Sequence, residues 1–333
     1  MPKNSRILIT GASGFLGTYI IKALQLQGYS HITGLTRNLA VLNKNNYPEI
    51  TWVEGNILDM PLMLELVEKA DIIINSAAEV SFSIKHKKRL LKIAVDGTAN
   101  LVNAALDKGV QKFIHVSSVA AIGRRKPDET ITEDMIFSHS KYDTTYGLSK
   151  FLAEQEVWRA HVEGLNVTIF NPSMIIGAGD WEKSTAQLWK KIYHGLAWFG
   201  TGTTGWVAAT DVSDIIVQSI QMETNGERYI LSAENKSYKE VFASIAKTLD
   251  KRPPTKPLIG FAAKAMAFVE FIRSALTNST PIITKETIES TSVNSRYDNE
   301  KSKQTFGIQY KDIYQTIKET STQFLDHVHR EMM

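Results

Sequence analysis

Short apolar runs alternate with longer amphipathic stretches from residue 5 to about residue 120. The runs at 6–10 (RILIT), 70–76 (ADIIINS) and 112–118 (KFIHVSS) are rich in β-branched residues and predict strands that are buried on both faces. The stretches between them, such as FLGTYIIKALQLQ at 15–27, repeat apolar residues at helical spacing. Because such strands need helices on both faces, the pattern predicts a doubly wound parallel sheet of the α/β class.

The second half of the chain has a less regular pattern. A helix over about 146–162 is followed by an apolar run at 166–177 (NVTIFNPSMIIG), and the sequence then becomes rich in Gly, Trp and Thr. That composition is typical of loops and short elements around a pocket. We therefore predict a main domain over residues 1–175, joined by a further strand and helix from about 205–232. Residues 176–333 are predicted to form mostly a smaller C-terminal lobe that binds the substrate.

One long apolar segment at 258–276 (LIGFAAKAMAFVEFIRSAL) has nearly the length of a membrane span. Three charged residues interrupt it, namely Lys264, Glu270 and Arg273, and its apolar residues fall on one helical stripe. We expect this helix to bury its stripe against the protein and not to cross a membrane. The N-terminus lacks the features of a signal peptide, so a cytoplasmic location is predicted.

Composition narrows the classes of partner. The 333 residues include 38 basic and 35 acidic side chains, spread without the dense basic blocks of a nucleic-acid surface. The chain has no cysteine, which excludes disulfides, thiolate nucleophiles and cysteine-based zinc sites. The eight histidines show no metal-binding spacing, so no metal site is predicted. A small molecule is therefore the expected partner, with no nucleic acid.

A glycine-rich turn follows the first strand directly, in the stretch TGASGFLG at 10–17. Its three glycines have the spacing G-x-x-G-x-x-G, and an amphipathic helix begins behind them. Glycine allows the tight turn and the close approach of the backbone to a pyrophosphate, while the helix amides hold the anion. The turn predicts a Rossmann-type dinucleotide site lined by Gly11, Ser13, Gly14, Phe15, Leu16 and Gly17.

The end of the second strand bears on which dinucleotide is bound. An acidic residue there would accept hydrogen bonds from the adenosine ribose of NAD. The sequence GLTRN offers Arg37 and Asn38 instead. Because a guanidinium can pair with a 2'-phosphate, Arg37 favours NADP(H). NAD(H) remains the alternative, in which case Arg37 is a solvated surface charge.

A tyrosine and a lysine stand four residues apart in YGLSK at 146–150. A free phenol titrates near a pKa of ~10, and a lysine one helical turn away would lower that pKa. Ser118 follows the fifth strand, at the sheet edge where ligands bind, and can donate a hydrogen bond to a carbonyl oxygen. Tyr-x-x-x-Lys pairs occur by chance on many helices. Their position after the glycine turn and the serine favours a catalytic role for Ser118, Tyr146 and Lys150.

The order of these motifs resembles that of extended short-chain dehydrogenases/reductases of the NAD-dependent epimerase/dehydratase superfamily. Further motifs in family order are GNILD at 55–59, NSAAEVSF at 75–82, SSVAAIG at 117–123 and NPSMIIG at 171–177. The last of these resembles the dihydroflavonol reductase and 3β-hydroxysteroid dehydrogenase branch, where Asn-Pro commonly replaces Arg-Pro. This resemblance implies a ketone or alcohol substrate, NADPH as cofactor, and Lys150 as a ligand of the nicotinamide ribose.

The resemblance also implies individual roles. Asn56 and Ile57 would flank the adenine, Ala77 and Ala78 would line the pyrophosphate and ribose, and Pro172 with Ser173 would border the nicotinamide. One departure is Ala94, where the family often has an asparagine that supports the catalytic lysine through water. The substrate pocket is expected to be largely apolar and to include Phe82, Asn171, Tyr193, Trp198 and Trp206.

The sequence is compatible with three functions. The first is an NADP(H)-dependent reductase of a ketone or aldehyde. The second is a nucleotide-sugar epimerase or dehydratase that keeps its cofactor bound, with Lys183, Lys190 and Lys191 as a cationic surface for a diphosphate. The third is a regulator that binds NADP(H) without chemistry, although such sensors usually lack the Tyr-x-x-x-Lys pair. Family members of this kind are monomers or homodimers, and both states remain open.

Overall fold

A computed structural model describes residues 1–42, 47–78, 87–123, 129–137, 144–259 and 285–332. Phe82 and nearly all of the predicted helix over 258–276 lie outside these described residues. No helix within the described ranges is both long enough and apolar enough to cross a membrane.

The strands share a short length of two to six residues. In chain order they are β1 (Ile7–Thr10), β2 (Ile32–Thr36), β3 (Thr51–Glu54), β4 (Ile72–Asn75), β5 (Lys112–Val116), β6 (Thr130–Ile131), β7 (Val167–Pro172), β8 (Met174–Ile176), β9 (Trp198–Phe199), β10 (Thr203–Ala208), β11 (Glu227–Leu231), β12 (Glu234–Ser237), β13 (Lys256–Pro257) and β14 (Arg296–Tyr297).

The helices are longest where they cover the main sheet and at the C-terminus. They are α1 (Phe15–Leu26), α2 (Met60–Glu68), α3 (Lys87–Lys108), α4 (Thr145–Val162), α5 (Gln187–Tyr193), α6 (Ala209–Ser219), α7 (Tyr238–Thr248), α8 (Lys285–Thr291), α9 (Glu300–Phe306) and α10 (Ile313–Met332). Two 3-10 turns cover Leu39–Val41 and Val119–Ala121.

The main sheet has seven strands in the order β11-β7-β5-β4-β1-β2-β3, and every neighbouring pair is parallel. The strand order reverses between β1 and β4, which opens a crevice at their carboxyl ends. This topology confirms the predicted doubly wound α/β class. One of the two edge strands of the sheet, β11, comes from the second half of the chain.

Both faces of the sheet are covered by apolar cores. One core packs α1 and α6 against residues such as Ile9, Ile74 and Phe170. The other packs α2, α3 and α4 against residues such as Leu8, Ile73 and Phe113. Strands β1 and β4 are completely buried as a result, because a parallel sheet with helices on both sides leaves no face to solvent.

The C-terminal lobe contains a three-stranded sheet in the order β12-β10-β8. Its core includes the indoles of Trp189 and Trp206 and residues of α7 and α10. The run at 166–177 was expected to form one strand, but it divides at Ser173, whose amide donates to the carbonyl of Leu231 at 2.9 Å. Strand β8 then pairs with β10. The stretch rich in Gly, Trp and Thr, which was predicted to form loops and short elements, contains β9 and β10.

The buried ammonium of Lys112 fastens β5 to the end of α6. Its Nζ donates to the carbonyls of Ser219 and Met222 at 2.5 and 2.7 Å and to the hydroxyl of Thr224 at 3.1 Å. Lys112 is 2% exposed. The cation therefore satisfies carbonyls that the end of a helix otherwise leaves without partners.

We expect Lys112→Met to lower the free energy of unfolding by about 2 to 4 kcal/mol, because it leaves buried carbonyls unpaired. Urea denaturation of the full chain measures this loss. The matched control is Lys108→Met, since Lys108 lies on the surface of α3 and, among the described residues, its acidic partners are Glu68 and Asp107. If both variants lose the same stability, the carbonyl contacts of Lys112 contribute little.

Candidate active site

The glycine turn lies between β1 and α1 and has the geometry that its sequence predicts. Gly11 has a φ of +69°, and the amide of Gly14 donates to the Gly11 carbonyl at 2.9 Å. A Cβ atom on Gly17 would lie 2.2 Å from that same carbonyl oxygen. A side chain at Gly11 or Gly17 would therefore clash with backbone, so both positions require glycine.

The start of α1 provides a cradle for an anion. Gly14 is its N-cap residue, no side chain caps the first amides, and the first turn carries no acidic residue. Ser13, Phe15 and Leu16 are exposed or half-buried around this turn. Together with the close backbone of the glycine turn, these amides fit a dinucleotide pyrophosphate.

The end of β2 presents polar groups beside this cradle. Arg37 and Asn38 are exposed there, and the hydroxyls of Ser13 and Thr36 are 3.0 Å apart. The neighbouring strand places Glu54 opposite Thr36, and the Glu54 carboxylate accepts from the amide of Leu39 at 2.8 Å. Sequence reasoning missed Glu54 because only the strand register brings it to this edge.

The residues expected to border the adenine and the ribose differ in exposure. Asn56 is exposed, and its side chain accepts from the amide of Leu58 at 3.0 Å. Ile57 is 7% exposed and packs against Gly97 of α3. Ala77 and Ala78 follow β4, and the Ala77 amide donates to Thr10 Oγ1 at 3.3 Å. All of these residues follow carboxyl ends of strands, at the same edge of the sheet as the glycine turn.

Ser118 and Tyr146 are brought together by the close packing of α4 on the turn after β5. Gly147 makes this approach feasible, since a Cβ atom there would lie 2.8 Å from the Ala120 carbonyl oxygen. Thr144 caps the helix by accepting from the Gly147 amide at 2.9 Å. Burial raises the pKa of the Tyr146 phenol, and the neighbouring Ser118 side chain opposes that shift.

Lys150 lies one turn further along α4 and is 5% exposed. Its Nζ donates to the carbonyl of Val116 at 3.0 Å. Burial lowers the pKa of Lys150 to about 8, and the Glu154 carboxylate opposes that shift. The expectation that Lys150 would lower the phenol pKa is wrong for this geometry, because burial of the Tyr146 ring dominates.

A buried polar chain under the site was not foreseen. Thr10 donates to Asn75 Oδ1 at 2.7 Å, and Asn75 Nδ2 lies 3.1 Å from Nδ1 of His115. Burial, with Lys150 as a second cause, lowers the pKa of His115 well below its ordinary value, so the imidazole is neutral. These residues follow from the strand register of β1, β4 and β5, which no local motif indicates.

The residues at the end of β7 and directly after it occupy two different environments. Pro172 and Ser173 are buried, and the Ser173 hydroxyl has no hydrogen-bond partner in the described part of the chain. Such an orphaned hydroxyl fits a position that borders a bound ligand. Asn171 was expected in the substrate pocket but is 0% exposed, with its amide donating to Ser118 and Glu154. The Asn171 side chain therefore makes contacts inside the protein and does not face a substrate.

The aromatic residues predicted for the pocket lie in the C-terminal lobe. Trp206 is 0% exposed and donates to the carbonyl of Lys236 at 3.0 Å, so it belongs to the core and does not face an open pocket. Tyr193 is half-buried against Phe324 of α10. Trp198 is half-buried in β9. The pocket role of Tyr193 and Trp198 stays a prediction, and Phe82 lies outside the described residues.

An open cleft of about 530 Å³ lies between α1 and α10. Tyr19, Trp181 and His327 are among its lining residues, whereas Ser118, Tyr146 and Lys150 are not. The cleft is thus separate from the serine, tyrosine and lysine cluster.

Comparisons with known proteins agree with this geometry. The family model described as NAD dependent epimerase/dehydratase family matches residues 7–232. A putative dihydroflavonol 4-reductase of Synechocystis sp. is 26% identical over 329 residues, covering 96% of this chain and 94% of that protein. Sterol demethylase protein B of Methylococcus capsulatus is 27% identical, covering 68% of this chain and 70% of that protein. The crystal structure of gox2253 has a TM-score of 0.82 at 25% identity, covering 97% of this chain and 99% of that one.

Proposed function

Because the chain belongs to the NAD-dependent epimerase/dehydratase family, we propose that it is an NADP(H)-dependent reductase of a ketone or aldehyde. Its substrate is largely apolar, and the reverse reaction oxidises the corresponding alcohol. The observation that carries the proposal is the approach of α4 to the turn after β5, which brings the Tyr146 phenol beside Ser118 with the Lys150 ammonium buried one turn away. This arrangement places an acid and a hydrogen-bond donor on one side of a reacting carbonyl.

The chain's own residues provide the proton and its control. The bound nicotinamide supplies the hydride that the carbonyl carbon accepts. Tyr146 donates its phenolic proton to the carbonyl oxygen, and burial keeps that proton in place at neutral pH by raising the phenol pKa. The Ser118 hydroxyl donates a hydrogen bond to the same oxygen and stabilises its developing charge. Tyr146 thus protonates the carbonyl oxygen, and Ser118 polarises it.

Lys150 holds the cofactor and supplies positive charge to the site. Its Nζ is anchored on the Val116 carbonyl, which leaves its remaining protons for the nicotinamide ribose. The lowered pKa of about 8 keeps Lys150 mainly protonated at neutral pH and lets it lose its charge just above. We therefore assign the alkaline limb of the pH–rate profile to Lys150.

The substrate class is supported by the names of two relatives and by the Asn-Pro pair that ends β7. The two relatives carry names that refer to a flavonoid and to a sterol, which are molecules with large apolar surfaces. The Asn-Pro pair at Asn171 and Pro172 resembles that reductase branch as well. NADP(H) is supported by the exposed Arg37 at the end of β2, where a guanidinium can pair with a 2'-phosphate. A soluble small-molecule enzyme of the cytoplasm fits these features.

The rival function is a nucleotide-sugar epimerase or dehydratase. The family description itself supports it, because epimerases and dehydratases share the family. In the part of the chain that the structure describes, two of the lysines expected to bind a diphosphate are paired with acids, Lys183 with Asp180 and Lys190 with Glu182. Those pairs reduce the positive charge available to a diphosphate and favour the reductase.

We expect Tyr146→Phe to lower turnover of an accepted carbonyl substrate by roughly two to four orders of magnitude, the range for removing a positioned acid. Stopped-flow or steady-state NADPH absorbance measures the rate. Thermal unfolding and cofactor titration serve as controls, and both should remain close to wild type because the ring and its packing are kept. Wild-type turnover in the Phe variant would exclude Tyr146 as the acid.

We expect Arg37→Asp to weaken the binding of NADPH far more than the binding of NADH, because a like charge then faces the 2'-phosphate. Fluorescence titration of both cofactors into both proteins measures the two losses. Arg6→Asp is not a suitable control because Arg6 pairs with Asp71, so Lys22→Asp on the exposed face of α1 serves instead. Equal losses for the two cofactors would make NAD(H) the natural partner.

A further inference from the structure

The carboxylate of Glu154 is completely buried, and the proposed chemistry does not use it. Glu154 is 0% exposed and lies on α4, one helical turn after Lys150 and two turns after Tyr146. Residues at this spacing share a face of the helix. The buried acid therefore belongs to the same face of the helix as the two catalytic residues.

One oxygen of this carboxylate connects α4 to the backbone of Ser118. Nδ2 of Asn171 donates to Oε1 of Glu154 at 2.6 Å and to the carbonyl of Ser118 at 2.9 Å. Asn171 lies on β7, so a single amide joins the catalytic helix, the neighbouring strand and the serine peptide. The relative positions of Ser118, Tyr146 and Lys150 depend on this connection.

The other oxygen faces a guanidinium. Nη1 of Arg228, on β11, lies 3.4 Å from Oε2 of Glu154. The same guanidinium donates to the carbonyls of Glu133 and Met135, so its position is fixed by the loop that contains those residues. The Glu133 carboxylate has a different partner, because it accepts a hydrogen bond from the amide of Ile230 at 2.8 Å. Arg228 is thus held where it can pair with Glu154.

A structural role alone accounts poorly for this buried charge. Burying an ion costs several kcal/mol, and replacing buried ion pairs by apolar residues of similar volume is often neutral or stabilising. Burial accordingly raises the pKa of Glu154, against the contributions of its donors Arg228 and Asn171. Lys150 lies one helical turn before Glu154 on the same face of α4, so its ammonium is a group on which this carboxylate can act.

Among the described residues, the titratable groups that interact with Lys150 or lie on its face of α4 belong to β5 and α4. His115 of β5 is neutral, and Tyr146 of α4 keeps its proton, as described above. Glu154 is then the anion that supports the ammonium form of Lys150. The family's supporting asparagine is absent, since α3 carries Ala94 at that position. The ammonium depends on Glu154 for electrostatic support from the protein.

We propose that Glu154 is a positioning residue of the active site, which keeps Lys150 charged and holds Asn171 and the Ser118 peptide in place. This inference rests on the proposed function for its effect on turnover. Its effect on Lys150 requires no substrate. Because the anion stabilises the ammonium, Glu154→Gln removes that stabilisation and the Lys150 midpoint moves to lower pH.

The test is a pH titration of Lys150 by NMR in the full chain with carbon-13 at the lysine Cε positions. The Lys150 signal is assigned by its loss in Lys150→Arg. We expect the Lys150 midpoint to fall by at least about 0.5 pH unit in Glu154→Gln. In the matched control Glu156→Gln, which removes a carboxylate that pairs with Arg159 on the same helix, we expect a change within about 0.2 unit.

Glu154→Asp provides the second variant and a rescue. It keeps the charge but withdraws it by one methylene, so its Lys150 midpoint should lie between those of the wild type and Glu154→Gln. It also decides the question if Glu154→Gln does not fold. An unchanged midpoint in a folded Glu154 variant, an upward shift, or an equal shift in Glu156→Gln would overturn the proposal. Failure of both Glu154 variants to fold would assign Glu154 a purely structural role and overturn it as well.

Turnover gives an independent readout. If the chain reduces a carbonyl, the alkaline limb of kcat should move to lower pH in Glu154→Gln by the same amount as the NMR midpoint, and Glu154→Asp should restore part of it. If the midpoint moves but no carbonyl is reduced, the proposed function fails and the effect of Glu154 on Lys150 stands. If carbonyls are reduced but the midpoint does not move, the inference about Glu154 fails alone.

Discussion

The close approach of helix α4 to the turn after β5 is the constraint on which the active site depends. A Cβ atom at Gly147 would lie 2.8 Å from the Ala120 carbonyl oxygen, so glycine is needed for the two elements to meet. Their contact brings the Tyr146 phenol beside Ser118 and places the Lys150 ammonium on the Val116 carbonyl. The buried Glu154 and Asn171, with the half-buried Arg228, then fasten the helix to β7 and β11. The chemistry is thus held by rigid elements of the main domain.

Local pattern was sufficient to predict the sheet, the glycine turn and the helix that carries Tyr146 and Lys150. The strands of a doubly wound sheet are short apolar runs, and their order along the chain follows from the helices between them. The motif GASGFLG specifies its own turn, because the glycines are required by backbone contacts within a few residues. Tyr146 and Lys150 could be placed on one face because helical spacing alone determines which side chains are neighbours.

The remaining features depend on contacts between distant segments. Glu54, His115 and Glu154 gain their roles from strand register and helix packing, neither of which a local motif encodes. Trp206 was expected in the substrate pocket because it lies in a stretch predicted to surround that pocket, and Asn171 was expected there as well. In the structure Trp206 fills the core of the C-terminal lobe, and Asn171 turns inward to a buried acid. The pKa of Tyr146 also depends on packing between distant segments. Burial, and not the neighbouring lysine, sets the direction of its shift.

The most direct test of the reductase is the transfer of deuterium from NADPH labelled at nicotinamide C4 to a series of ketones and aldehydes of increasing apolar bulk. The account predicts that the label appears on the carbinol carbon of the product, with one NADPH consumed for each alcohol formed. It also predicts that kcat/KM rises by up to about fourfold for each buried methylene until the pocket is full, given about 0.8 kcal/mol for each group. Conversion of a nucleotide sugar without net consumption of added cofactor, together with no label in any carbonyl product, would contradict it.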